Sequence, residues 1–324
     1  MQLVGLVAVS LPGFAALTAL LFTWMQVGQA STELRISEQG QITNRYNAAI
    51  NNLGSQSIDV RLGGMYALQR IMQDSTRDHP TVVSVLSAYV RQHAALPAND
   101  AKKSQATSEE HSPDADIQAV INVLAHRRPA LDKGTTVDLS HTDLSGLKSM
   151  GTGTINLRQA NLTGADLGEA DLSGVDLRGA DLSDADLNLA SLFGANLTQA
   201  TLLGTNLGGA HLNNAILTKT VVCGTDRYQL TENGPYLHFC PDLTGADLGG
   251  AKLSGTSLAH TKLIGASLTH ADLTGANLSN ADLTNADLTG ANLTKANFTG
   301  ARLRGVTLDG AKTEGARGLP SSSR

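Results

Sequence analysis

A unit of five residues, A-(D/N)-L-(S/T)-G, repeats almost without interruption from Ile155 to near the end of this 324-residue chain. Ala160-Asn161-Leu162-Thr163-Gly164 passes into Ala165-Asp166-Leu167 and Ala170-Asp171-Leu172, and the beat persists at Ala291-Asn292-Leu293. A period of five fits neither the 3.6 residues of a helical turn nor the two-residue alternation of a strand. Strict internal repetition instead marks an array of units, each unable to bury its own apolar residue alone. With Leu as the centre of a unit, the small residue two positions before it points the same way, into a shared interior. The Asp or Asn between them then points outward. Ser/Thr and Gly after the Leu suit a corner, where Gly relieves backbone strain.

The register runs from Leu139 and Leu144, shifts through Leu147–Thr154, and then holds in steps of five from Leu157 to Val222. It resumes from Leu243 to Leu308, with Thr313 as a decayed final unit. Composition agrees with a narrow interior: aromatics are 3% of the chain and Gly numbers 33. The break, residues 223–241, concentrates scarce aromatics in Tyr228, Tyr236, His238 and Phe239. They read either as partner contacts or as a local wrap over a register shift. The 21-residue step from Val222 to Leu243 also suits a full coil with a one-residue bulge. Cys223 and Cys240 flank the break. They can pair in an exported protein or stand as two reduced thiols in the cytosol.

Upstream, residues 3–27 carry no charge and are long enough for a membrane span, with Trp24 near one end. No Lys or Arg precedes this stretch, whereas Arg35 and Arg45 follow it, which places the C-terminal part in the cytoplasm. Residues 31–93 show helical apolar stripes: Ile42, Tyr46, Ala49, Ile50 and Leu53; then Leu62, Met65, Leu68, Ile71 and Met72; then Val82, Val83, Leu86, Tyr89 and Val90. Gly63-Gly64 within the second stripe suggests a close helix contact or a bend. Residues 94–113 read as a solvated linker. Ser112-Pro113-Asp114 reads as the start of a helix spanning 114–130 that caps the array, and 316–324 as a disordered tail. His79, His93, His111 and His126 lack metal-ligand spacing and read as surface or cap residues.

The five-residue unit over 137–315 resembles the pentapeptide-repeat family. That resemblance implies a mainly β fold, a right-handed quadrilateral β-helix with four units per coil, here preceded by a transmembrane helix and a small α-helical region. Thirty units then make about 7.5 coils, roughly 36 Å long. The order of parts, with R-L-G-G-x-Y-A-L at Arg61–Leu68 and D-H-P-T-V at Asp78–Val82, is similar to bacterial members anchored in the cytoplasmic membrane by a single pass. The functional expectation is a membrane-anchored scaffold or protein-interaction protein. The alternative is a DNA mimic that binds and protects DNA gyrase.

No P-loop, H-E-x-x-H, G-x-S-x-G or Cys/His ligand set occurs, so neither an enzyme, a metal nor a cofactor is expected. A net charge of −5 disfavours direct nucleic-acid binding. The candidate partner-binding residues are an acidic band, Asp166, Glu169, Asp171, Asp176, Asp181, Asp184 and Asp186, together with Tyr228, Tyr236 and Phe239 of the break. The band suits a basic protein partner. Equally, Asp is the usual outward residue of such a repeat. A homodimer through the open end of the array is a further expectation.

Overall fold

The computed structural model describes residues 2–96, 112–148, 155–222 and 240–320, without the side chains of 2–18 and 34. The chain divides into two compact units, Met1–Ile71 and Met72–Arg324.

In the first unit, α1 runs unbroken from Gln2 to Leu53, and α2 (Ile58–Asp74) begins after a short turn. The stripe expected over 41–53 is thus the end of a much longer helix. Ala49 and Leu53 are buried, as are Met65, Leu68 and Ile71. Gly64 explains the paired glycines: a Cβ there would lie 2.8 Å from the Ala49 carbonyl oxygen, so α1 and α2 touch at a point only Gly permits. Gly63 has open space around it.

No helix among the described residues is long and apolar enough to cross a membrane. This corrects the span expected over 3–27, and with it the membrane partner and the single-pass placement in a bacterial inner membrane. The apolar stretch is not an element of its own. The same helix continues through Gln29, Ser31, Glu33, Arg35 and Glu38.

The second unit opens with α3 (His79–His93), whose Pro80 sits where a missing N–H costs nothing. Then comes α4 (Ala115–Ala125), which packs against α3. Asp114 rather than Ser112 takes the N-cap position of α4, without a side-chain bond. The helix ends at Ala125, and Pro129 begins a short 3-10 turn, Pro129–Leu131, instead of terminating a helix to 130.

The repeat then forms stacked coils. Parallel bridges join slots twenty residues apart, such as Asn156↔Asp176, Asn161↔Asp181, Asp166↔Asp186 and Asp171↔Ser191. Four units therefore close one coil, each giving a straight side and a turn. Every side contributes a single bridged residue before its corner, so consecutive paired residues never accumulate. Among the described residues the regular elements are all helical and no β-strand forms. The expected mainly β fold, a quadrilateral β-helix behind a transmembrane helix, is corrected on both counts. The membrane-anchored scaffold and the gyrase-binding DNA mimic both presupposed that surface, and neither is retained.

One unit accounts for all its backbone N–H groups. Leu157 N–H donates to the Asp176 carbonyl (2.9 Å) and Gln159 N–H to the Arg178 carbonyl (3.0 Å) in the next coil. Ala160 N–H closes its own turn on the Leu157 carbonyl (3.1 Å), and Asn161 N–H reaches back to the Val137 carbonyl (2.8 Å). The fifth, that of Arg158, is taken by the Asn156 side-chain Oδ1 at 3.1 Å. Inside the coils, Leu and Ala fill their slots with essentially no exposure, Leu182 and Ala180 at 0% among them.

The break does not interrupt the stack. Asn206 bridges Asp242, His211 bridges Asp247 and Ile216 bridges Lys252, a step of 36 residues in place of 20. The chain leaves after Val222 on one side and resumes on the very next side at Asp242. This is an insertion between neighbouring sides, not a coil carrying a bulge. The bridges continue to Arg317, which pairs with Asn297.

Candidate functional site

Stacking sorts the outward slots into four sides. In chain order from Asn156, the first side carries Asn156, Asp176 and Asn196, and the second Asn161, Asp181 and Thr201. The third carries Asp143, Asp166, Asp186, Asn206, Asp242, Lys262, Asp282 and Arg302, and the fourth Asp171, Ser191 and His211. The acidic band therefore encircles the coils. Asp176, Asp181 and Asp171 fall on the first, second and fourth sides. Asp166 and Asp186 share the third side, with Asp184 at the corner leading into it and Glu169 at the corner leaving it. Asp143 joins this group from the same column. It was not singled out in the sequence because a 23-residue step separates it from Asp166.

The charge of the third side changes along the stack. Its first positions read Asp143, Asp166, Asp186 and Asn206. Its later positions alternate Asp242, Lys262, Asp282 and Arg302, with Lys262 Nζ 3.1 Å from Asp242 Oδ2 and Arg302 Nη1 3.1 Å from Asp282 Oδ2. Two cavities open on this side. One of about 230 Å³ lies where Asp143 and Ser145 meet His93, Ala94 and Asp114. The other, about 400 Å³, is lined by Asn188, Leu189, Asn206, Gly208, Gly209, Asp242 and Thr244.

Most outward carboxylates also perform a local task. Asp272 Oδ1 accepts from the Thr274 N–H (3.1 Å) and hydroxyl (2.6 Å), and Asp282 and Asp287 do the same for Thr284 and Thr289. Hydrogen bonds from Thr284 hold Asp282 below the usual carboxylate range, and those from Thr289 do so for Asp287. At Asp176 burial works against the charged form, but the bonds and charge of Arg178 outweigh it and the net shift is downward. Asn serves the same slot equally, as at Asn161 with Thr163 and Asn196 with Thr198.

A buried polar cluster was missed in the sequence. His79, expected at the surface or in a cap, is 1% exposed. Its Nε2 lies 2.9 Å from Asp132 Oδ1 and its Nδ1 3.1 Å from the Met72 carbonyl oxygen. Arg127 Nε donates to Asp132 Oδ2 (3.1 Å), while Arg127 Nη1 donates to the carbonyls of Leu124 (3.0 Å) and Asn156 (2.6 Å). Burial pulls the Arg127 guanidinium below its ordinary value and Asp132 opposes that. Nearby, Tyr89 donates its hydroxyl to Asp116 (2.7 Å), tying α3 to α4. These contacts are architectural: they seat the helices on the first coil. No spacing rule could have found them, because their partners lie up to 53 residues apart. His93 stacks on Tyr89 and His126 caps the Asn122 carbonyl; His111 lies outside the described residues.

Among the described residues no group of three or more His, Cys, Asp or Glu side chains is placed to hold a metal ion. Cys240 is disulfide-bonded. The other cysteine of the chain, Cys223, lies outside the described residues, as do Tyr228, Tyr236 and Phe239.

Comparison with known proteins gives a consistent family. The pentapeptide repeats model matches residues 155–192, 190–226, 242–280 and 276–312. No curated protein matches the chain. Among solved structures, HetL of the cyanobacterium Nostoc sp. strain PCC 7120 is described as a pentapeptide repeat protein involved in heterocyst differentiation regulation. It is 34% identical over 55% of this chain and 84% of its own, with a TM-score of 0.26. A second pentapeptide repeat protein from Nostoc, alr5209, is 39% identical over 24% of this chain and 63% of its own, with a TM-score of 0.23. QnrB1, a plasmid-mediated fluoroquinolone resistance protein, is 20% identical over 49% and 77%, with a TM-score of 0.36. The repeat region, residues 155–226 and 242–312, matches the pentapeptide-repeat family.

Proposed function

We propose that this chain is a recognition protein that binds a basic protein segment along the third side of its coils. The observation that carries the reading is the column Asp143, Asp166 and Asp186, with a cavity at each end of it. Neighbouring coils lie about 4.8 Å apart, so three carboxylates repeat along one line and sum their fields over a short distance. The same side alternates acid and base further along, so the acidic stretch is bounded. Glu169 and Asp184 at the flanking corners are exposed and extend it.

Asn already occupies this slot in other units and makes the same turn bond. Replacing Asp143, Asp166 and Asp186 together by Asn therefore removes charge and leaves the corners intact. A labelled nona-lysine peptide should bind the wild-type chain in a salt-sensitive manner, and the triple variant about tenfold more weakly. A control variant with Asn at Asp247, Asp272 and Asp287, on other sides, should bind like wild type. Equal loss in both variants would show that the chain's overall charge, and not this side, attracts the peptide.

A further inference from the structure

Leu189 stands out on three independent counts. It is 50% exposed. It sits at the second corner position, at φ +58°. Among the described residues, every other non-glycine side chain at positive φ is polar. The left-handed conformation strains a bulky side chain, and this one gains no compensating burial. Its Cδ2 lies over Gly209, where an added Cβ would come within 2.7 Å, so the Leu189 side chain fills space that the glycine leaves open. Phe193, 55% exposed, ends the straight side that Leu189 begins. Phe193 is four positions further on, at the other corner of that side, so the two Cα atoms lie no more than about 14 Å apart. The positions stacked with Phe193 are Ser173 and Asn213.

We infer that Leu189 and Phe193 form the apolar anchor of the interface, receiving an apolar or aromatic side chain of a partner whose flanking residues are basic. This rests on the reading of the third side given above. The recess of about 400 Å³ that Leu189 walls is also lined by Gly208 and Gly209, the two residues of one corner, neither of which has a side chain. The surroundings define the partner's chemistry. Glu169 stacks directly below Leu189, Asp171 bridges Ser191 between the two apolar residues, and Asp186 opens the Leu189 unit. An apolar centre with an acidic rim complements a basic segment with an apolar anchor, the arrangement in which a few central residues dominate binding.

The fold itself supplies variants that leave the structure unharmed. Asn285 occupies the position of Leu189 in a later coil at φ +60°, and Ser173 occupies that of Phe193. Leu189→Asn with Phe193→Ser should therefore fold as wild type, with an unchanged or raised thermal midpoint. Two probes separate the ideas: nona-lysine, and the same peptide with tryptophan at its centre. Wild type should bind the tryptophan peptide about tenfold more tightly than nona-lysine. In the double variant that difference should vanish while nona-lysine binding stays as it was. Equal affinity of wild type for both peptides, or a difference that survives the double variant, overturns the anchor and leaves the acidic side standing. Failure of both peptides to bind overturns both.

Discussion

The outward Asp or Asn is the residue that completes the repeat's backbone accounting. Four of five N–H groups in a unit are satisfied by carbonyls, and the fifth depends on the side chain two residues before it. At Asp272 that side chain accepts from both the N–H and hydroxyl of Thr274 and from the hydroxyl of Ser254. Asp272→Ala should cost about 1 kcal/mol, seen as a lower urea midpoint, and Asp272→Asn clearly less. The same bonds give the fold an acid limit. Asp282 and Asp287 have folded values below their unfolded ones. Their contribution is fully present above about pH 4 and fades as pH falls through the folded values. Urea midpoints between pH 2 and 7 should therefore drop below pH 4, and the Asp282→Asn, Asp287→Asn variant should show a shallower drop. An unchanged acid profile would assign the limit to other carboxylates.

At the scale of elements, α3 and α4 close the lower edge of the stack. Asp143 N–H donates to the Ala94 carbonyl (2.7 Å), Asn156 N–H to the Ala125 carbonyl (2.7 Å), and Arg91 reaches the Asp138 carbonyl (2.8 Å). A coil edge that would otherwise face water is thereby paired. Arg127 is the central fastener, since one guanidinium serves Asp132, the end of α4 and the first coil. Arg127→Met keeps the volume and removes every one of these bonds. It should destabilise the second unit by about 3–5 kcal/mol in chemical denaturation, because it strips a partner from the buried Asp132. A loss below 1 kcal/mol would mean that apolar contacts alone seat the helices.

At the scale of the molecule, the stack tolerates a 36-residue step because coil closure depends only on where each side resumes. Pro241 is buried in the small inward slot and Asp242 takes the outward one. Removing residues 225–240 would join Val222-Cys223-Gly224 to Pro241-Asp242-Leu243 and restore an unbroken step of five. With Cys223→Ser to avoid a lone thiol, this shortened chain should stay folded, with a thermal midpoint within about 5 °C of wild type. Loss of cooperative unfolding would show that the insertion is part of the core and not an addition to it.

The sequence alone determined the five-residue register, the inward Leu and Ala, the polar corners and the apolar stripes of the helices. All of these are local: a residue's direction follows from its neighbours' spacing. The long apolar stretch misled for the same reason, since composition over 3–27 does not reveal that the helix continues to Leu53. Only the tertiary structure decided which residues share a side. Coil closure places Asp143, Asp166 and Asp186 in line across steps of 23 and 20 residues, and it scatters the sequence-adjacent Asp171, Asp176 and Asp181 over the other three sides. The exposed, strained Leu189 was equally hidden, because Leu in this chain ordinarily means an interior slot. Its meaning depends on position within the unit and on Gly209 one coil above. Distance along the chain sets the interior of this protein, and the stacking of coils sets its surface.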